Sequence, residues 1–105
     1  MENFPDIVNG CKTLLERSYG EQFKGLVLYG STARNQADSE SDIDLLVLLD
    51  EPFDFFHELR RIIEILYPLQ LETDRLLSAK PVSLADFEQG RLQLFRNAKR
   101  EGVLV

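Results

Sequence analysis

The chain of 105 residues is short of the groups that most small proteins use to hold metals, redox centres or nucleic acid. Its one cysteine, Cys11, excludes an internal disulfide framework and a cysteine-rich zinc site. Its one histidine, His57, excludes any site that needs two imidazoles. Positive charge is scarce too: 12 Lys and Arg stand against 18 Asp and Glu, a net charge of -6. That excludes a basic domain that grips nucleic acid by neutralising its phosphates. It leaves a nucleotide substrate open, because a bound divalent cation supplies positive charge of its own. No apolar run is longer than Leu45–Leu49, against the roughly 20 residues a membrane span needs. The start has no basic stretch followed by an apolar one, so no secretory signal is visible and a cytoplasmic protein is expected. Yet 44% of the residues are hydrophobic, enough for one folded core over residues 1–105.

Periodicity predicts the elements. Ile7, Val8, Cys11, Leu14 and Leu15 recur at steps of three and four, which is one stripe of a helix over 6–18, ended by Gly20. Leu26 to Tyr29 reads as a short buried strand that stops at Gly30. Residues 31–41 are small and polar and read as a loop. Ile43 to Leu49 is apolar on both faces, which predicts a central strand in a sheet covered on both sides. Asp50-Glu51-Pro52 reads as a helix start. Phe55, Phe56, Leu59, Ile62, Ile63 and Leu66 mark that helix's core face, and Tyr67-Pro68 its end. Leu69 to Leu77 reads as a third strand. Ser83 to Asp86 resembles a capping box before a last helix that turns Leu84, Phe87, Leu94, Phe95 and Ala98 inward. Gly90 is placed to split that helix, and Gly102 to stop it. The expected order is α-β-β-α-β-α, a small sheet with helices on it. The link between the first two strands allows either a hairpin or a crossover.

The residues that carry chemistry lie between Gly30 and Asp44. Side chains alternate along a strand, so Asp42 and Asp44 share a face, about 7 Å apart at their Cα atoms. Leu46 and Leu48 share that face. Two carboxylates beside apolar neighbours repel each other, and a hard divalent cation between them removes the conflict. An isolated Asp-x-Asp is more often just a solvated strand start; what precedes it makes it specific. Gly30 lets the backbone approach a ligand closely, and the turn after it, with the Ser31 hydroxyl, offers donors to phosphate oxygens. Arg34 sits one turn on, in reach of a phosphate or of loop acids. The Walker-A spacing of Gly25 and Gly30-Ser31-Thr32 is a decoy. The lysine position holds Ser31, and the intervening residues are a strand.

Gly30-Ser31, ten residues and then Asp42-x-Asp44 resembles the signature of the polymerase-β-type nucleotidyltransferase superfamily. Gly-Ser-x-x-Arg and the Ser-Asp-Ile-Asp-Leu-Leu-Val string at 41–47 are similar to its minimal nucleotidyltransferase (MNT) branch, as is the ending Arg100 to Leu104. The resemblance covers nearly the whole chain. It implies an α+β fold with a small mixed sheet, Mg²⁺ and ATP, and nucleotidyl transfer. It assigns Asp42 and Asp44 to the metal and Gly30, Ser31 and Arg34 to the nucleotide. It also implies a third carboxylate on a later strand, which completes a second metal site or accepts the proton of the attacking hydroxyl; Asp74 is the first candidate for it and Glu72 the second. Arg75 departs from the apolar residue usual after that acid, and Asn35 from the glycine usual after the arginine.

Members of the superfamily that grip their own acceptor carry a further domain, for which 105 residues leave no room. MNT proteins are known partners of HEPN-domain ribonuclease toxins, which they silence by transferring AMP to a tyrosine. An antitoxin of that kind is the first expectation, with a homo- or hetero-oligomer possible and neither nucleic acid nor membrane bound. Transfer to a small-molecule hydroxyl is the second. A non-catalytic antitoxin that neutralises its partner by contact is the third. The remaining candidates read as ordinary structure: His57 as a surface group, Cys11 as packing, Phe53, Phe55 and Phe56 as core, and Arg60, Arg61, Arg96, Lys99 and Arg100 as solvated helix faces.

Overall fold

The computed structural model describes residues 4–30 and 42–105. The first helix, α1, runs Phe4–Tyr19 and passes through a single 3₁₀ turn, Gly20–Gln22, into strand β1, Phe23–Tyr29. Gly20 makes that junction at a φ of +60°. Strand β2, Ile43–Leu49, pairs with β1 antiparallel, with Tyr29 opposite Asp44 and Leu28 opposite Leu45. Of the two connections the sequence allows, the strands take the hairpin-like one.

Helix α2 spans Phe55–Gln70 and returns the chain to strand β3, Leu77–Ser83, which lies parallel to β2. Two short helices follow, α3 over Leu84–Gln89 and α4 over Gln93–Glu101, and a two-residue strand β4, Val103–Leu104, closes on β1. The sheet order is β3-β2-β1-β4, so it is mixed and β2 is interior.

The alternation of side chains on β2 divides the core. Ile43, Leu45, Val47 and Leu49 join Leu26 and Leu28 against Ile7, Cys11 and Leu15 of α1 and Ile62 and Leu66 of α2. Leu46 and Leu48 join Val27 and Val82 against Phe87 of α3 and Ala98 of α4. The expected two-sided cover of β2 is therefore present. Among the described residues no helix is long and apolar enough to cross a membrane.

Three expectations are corrected. Helix α2 begins at Phe55, where the Asp54 carboxylate accepts from the His57 N–H at 2.8 Å, and not at Asp50-Glu51-Pro52. Its inner face also turns away from the one read by periodicity: Phe55, Phe56 and Ile63 are exposed, while Glu58 is buried. The buried hydrogen bond from the Tyr19 hydroxyl to Glu58 Oε1, 2.8 Å, ties that face to α1.

The third correction concerns Leu69 to Leu77, of which only Leu77 is in a strand. The helix continues past Pro68 to Gln70. Leu69 packs beside Gly10 of α1. The strand begins at Leu77 and contains Pro81, which an edge strand tolerates because its missing N–H interrupts no ladder on the open side. Gly90 does split the last helix, capping α3 at a φ of +63°. Ser83 is the N-cap expected of it, accepting from the Asp86 N–H at 3.3 Å.

Candidate active site

The hairpin brings the end of β1 to the start of β2. Gly30 follows β1 directly, and Asp44 is the second residue of β2. Gly30 takes a φ of +79°, which disfavours any side chain. A Cβ built there would stand 2.8 Å from Asp44 Oδ2. Glycine is thus required twice, for its backbone angle and for the carboxylate that leans on it. These two sequence-predicted site residues meet.

Asp44 is half-buried and Asp42 exposed. Burial, and then the charge of Asp42, push the Asp44 carboxyl above its ordinary 3.8, while Lys80 pulls it the other way. Tyr29, opposite Asp44 in the ladder, is pushed up by burial and by the Asp44 charge. The repulsion read from Asp-x-Asp is therefore present, and it falls on the more buried acid. That is an electrostatic demand for a cation, and two carboxylate donors on one strand face suit a hard divalent ion.

Asp74 and Glu72 lie in the exposed turn between α2 and β3, ahead of the strand rather than on it. That turn is at the same end of the sheet as Asp42, since the Ile43 N–H donates to the Leu76 carbonyl at 2.8 Å. Among the described residues, no three acidic, histidine or cysteine side chains converge as a metal would need. Asp74 thus shares an end of the sheet with Asp42 and Asp44 without forming a three-carboxylate cluster with them. Ser31 and Arg34 lie outside the described residues.

A cavity of about 210 Å³ adjoins Gly30, walled by Tyr29 and by Leu94, Asn97, Ala98 and Glu101 of α4. A larger one, about 450 Å³, lies at the far end of β2 and β3 beside Glu51 and Ser83, away from Asp44. Two neighbours of the acid pair were missed in the sequence. Tyr29 had a readable signal, its place just before Gly30 at the strand end. Lys80 has none, because the sequence pattern puts the start of the third strand eight residues ahead of Leu77.

The nucleotidyltransferase domain family matches the chain over residues 10–97. The chain belongs to that family. Nucleotidyl transfer is the reaction class that goes with it. Its fold resembles the crystal structure of a candidate nucleotidyltransferase from Sulfolobus solfataricus, with a TM-score of 0.63 and 14% sequence identity. The match covers 94% of this chain and 76% of that one. No curated protein matches the chain. A four-stranded mixed sheet with helices on both faces is the polymerase-β-like arrangement expected from the resemblance.

Proposed function

We propose that this nucleotidyltransferase transfers AMP from ATP to a tyrosine hydroxyl of a HEPN-type toxin, and so acts as an antitoxin. The observation that carries the chemical half is the close approach of Gly30 to Asp44, whose carboxyl also feels the charge of a second acid, Asp42. The antitoxin half is supported by the resemblance of 41–47 and 100–104 to the MNT branch.

Asp42 and Asp44 are the residues that would hold Mg²⁺, which when bound neutralises part of the triphosphate charge. The chain's own groups do the rest. Gly30, without a Cβ, lets the backbone come close to the phosphates, and Ser31 and Arg34 are assigned further phosphate contacts. Asp74, on the turn at the same end of the sheet, is assigned the proton of the attacking hydroxyl. The acceptor oxygen bonds to the α-phosphorus in line with the bridging oxygen, that bridging bond breaks, and pyrophosphate leaves.

The lack of a three-carboxylate cluster among the described residues favours one second reading, an antitoxin that silences its partner by contact alone. Incubation with ATP labelled at the α-phosphate, Mg²⁺ and the purified HEPN partner separates the two. Label on a partner tyrosine is expected. Inhibition of the toxin without label supports the binder, and label on a small hydroxyl compound but on no protein supports the small-molecule transferase.

A further inference from the structure

The strand beside Asp44 offers it a cation. In the parallel register of β2 and β3, Ser78 lies opposite Asp44 and Lys80 opposite Leu46. Side chains in register share a face, so Asp44, Leu46, Ser78 and Lys80 all project toward the side of the sheet that α3 and α4 cover. Further along that face the layer is dry: Leu46, Leu48 and Val82 pack against Phe87 and Ala98. An ammonium is not stable there without a partner. The four-carbon stem of a lysine lies on such a surface while its head leaves it. In one direction along β3 stands buried Val82; in the other stand Ser78 and the acid end. The charge of Lys80 does act on Asp44.

We propose that Lys80 is a phosphate-binding residue, its ammonium holding the polyphosphate of a nucleotide that Asp42 and Asp44 take up together with a divalent cation. This rests on the nucleotidyl-transfer reading above. The two acids carry two negative charges, and a divalent cation cancels them. Lys80 then faces no excess negative charge from the protein, and the triphosphate is its natural partner. An ammonium that served only as the internal counter-charge of Asp44 would instead be redundant once the cation bound.

The two roles separate by sign. Lys80→Met is compared with wild type in titrations with Mn²⁺ alone, read by electron paramagnetic resonance, and with ATP at saturating Mn²⁺, read by calorimetry. Removing a positive charge beside the acids should tighten Mn²⁺ alone by about threefold. It should weaken ATP by about tenfold or more, the loss of one charge-assisted contact. Lys80→Arg, which keeps the charge, should hold ATP within about threefold of wild type, and it shows that the effect is not one of folding. Unchanged ATP affinity in Lys80→Met, alongside tighter Mn²⁺, overturns the proposal and leaves Lys80 a counter-charge, with the nucleotidyl-transfer reading intact. If wild type binds neither Mn²⁺ nor ATP, both that reading and this proposal fall.

Discussion

Substituting Gly30 by alanine separates the two demands placed on that position. Its φ of +79° costs an L-residue about 1–2 kcal/mol. The added methyl would stand 2.8 Å from Asp44 Oδ2 and 3.6 Å from its Cγ. A carboxylate end can swing aside, so the clash adds little to the loss of stability, but it turns Asp44 away from where it stands in the native protein. Gly20 supplies the control. Its φ is +60°, yet nothing lies within 4 Å of a Cβ built there. Gly20→Ala and Gly30→Ala should therefore both lose about 1–2 kcal/mol in urea titrations followed by circular dichroism, with midpoints of thermal unfolding about 4–16 °C lower. Only Gly30→Ala should lose Mn²⁺ affinity, by about tenfold or more, as one of two carboxylates is misplaced. Equal Mn²⁺ binding in Gly30→Ala and wild type would refute the reasoning, because the glycine would then serve the backbone alone.

Asp44→Asn should abolish nucleotidyl transfer while leaving the protein as stable as wild type at pH 7 or more so. The folded-state pKa of Asp44 is raised, so the folded protein disfavours the carboxylate that the unfolded chain carries freely. That penalty is complete at neutral pH, shrinks as pH falls through the raised value, and is gone below about 3.8; melts across this range check it. Tyr19→Phe removes the 2.8 Å donor to buried Glu58 and should cost about 1–3 kcal/mol in urea titration without changing Mn²⁺ or ATP affinity. Cys11 is fully buried, and burial pushes its thiol up to about 12. It should resist a thiol reagent such as dithionitrobenzoate at pH 8 in the folded protein and react at once in urea. Rapid labelling without denaturant would contradict its place on the inner face of α1.

The acid pair and its glycine were legible because each rests on a local rule. Alternation alone puts Asp42 and Asp44 on one face with Leu46 and Leu48, and the core on that side contains both leucines. Gly30 was readable from its place at the end of an apolar run. The surroundings were not legible, for reasons that are tertiary. Leu69-Gln70-Leu71-Glu72 alternates like a half-buried strand, but Leu69 belongs to the contact of α2 with α1 at Gly10. Ser-Ala-Lys-Pro carries little β-propensity of its own and becomes a strand because β2 offers a free edge in register from Ile43 onward. The rotation of α2 is set by Glu58, whose hydrogen bond to Tyr19 joins residues 39 apart, and by Arg61, whose guanidinium lies 4.4 Å from the centre of the Tyr19 ring. No helical periodicity announces a buried glutamate.

The placement of Asp44 shows how this fold sets stability against chemistry. Asp42, just ahead of the strand, is exposed to water. Asp44 is one step further in, with Tyr29 on one side, Ser78 on the other and the apolar layer under α3 and α4 beyond. Among the described residues nothing in the packing needs an acid there; an apolar residue would extend the row of Leu46 and Leu48. What the position gives in return is leverage, since charge interactions strengthen as water is removed. A half-buried carboxylate held above its ordinary pKa gains more from a divalent cation than a solvated one does, by the amount of its own frustration. Binding that cation should therefore stabilise the protein through Asp44 more than through Asp42. The rise in unfolding midpoint on adding saturating Mn²⁺ should be reduced more by Asp44→Asn than by Asp42→Asn, and equal losses would show that the depth of the acid plays no part.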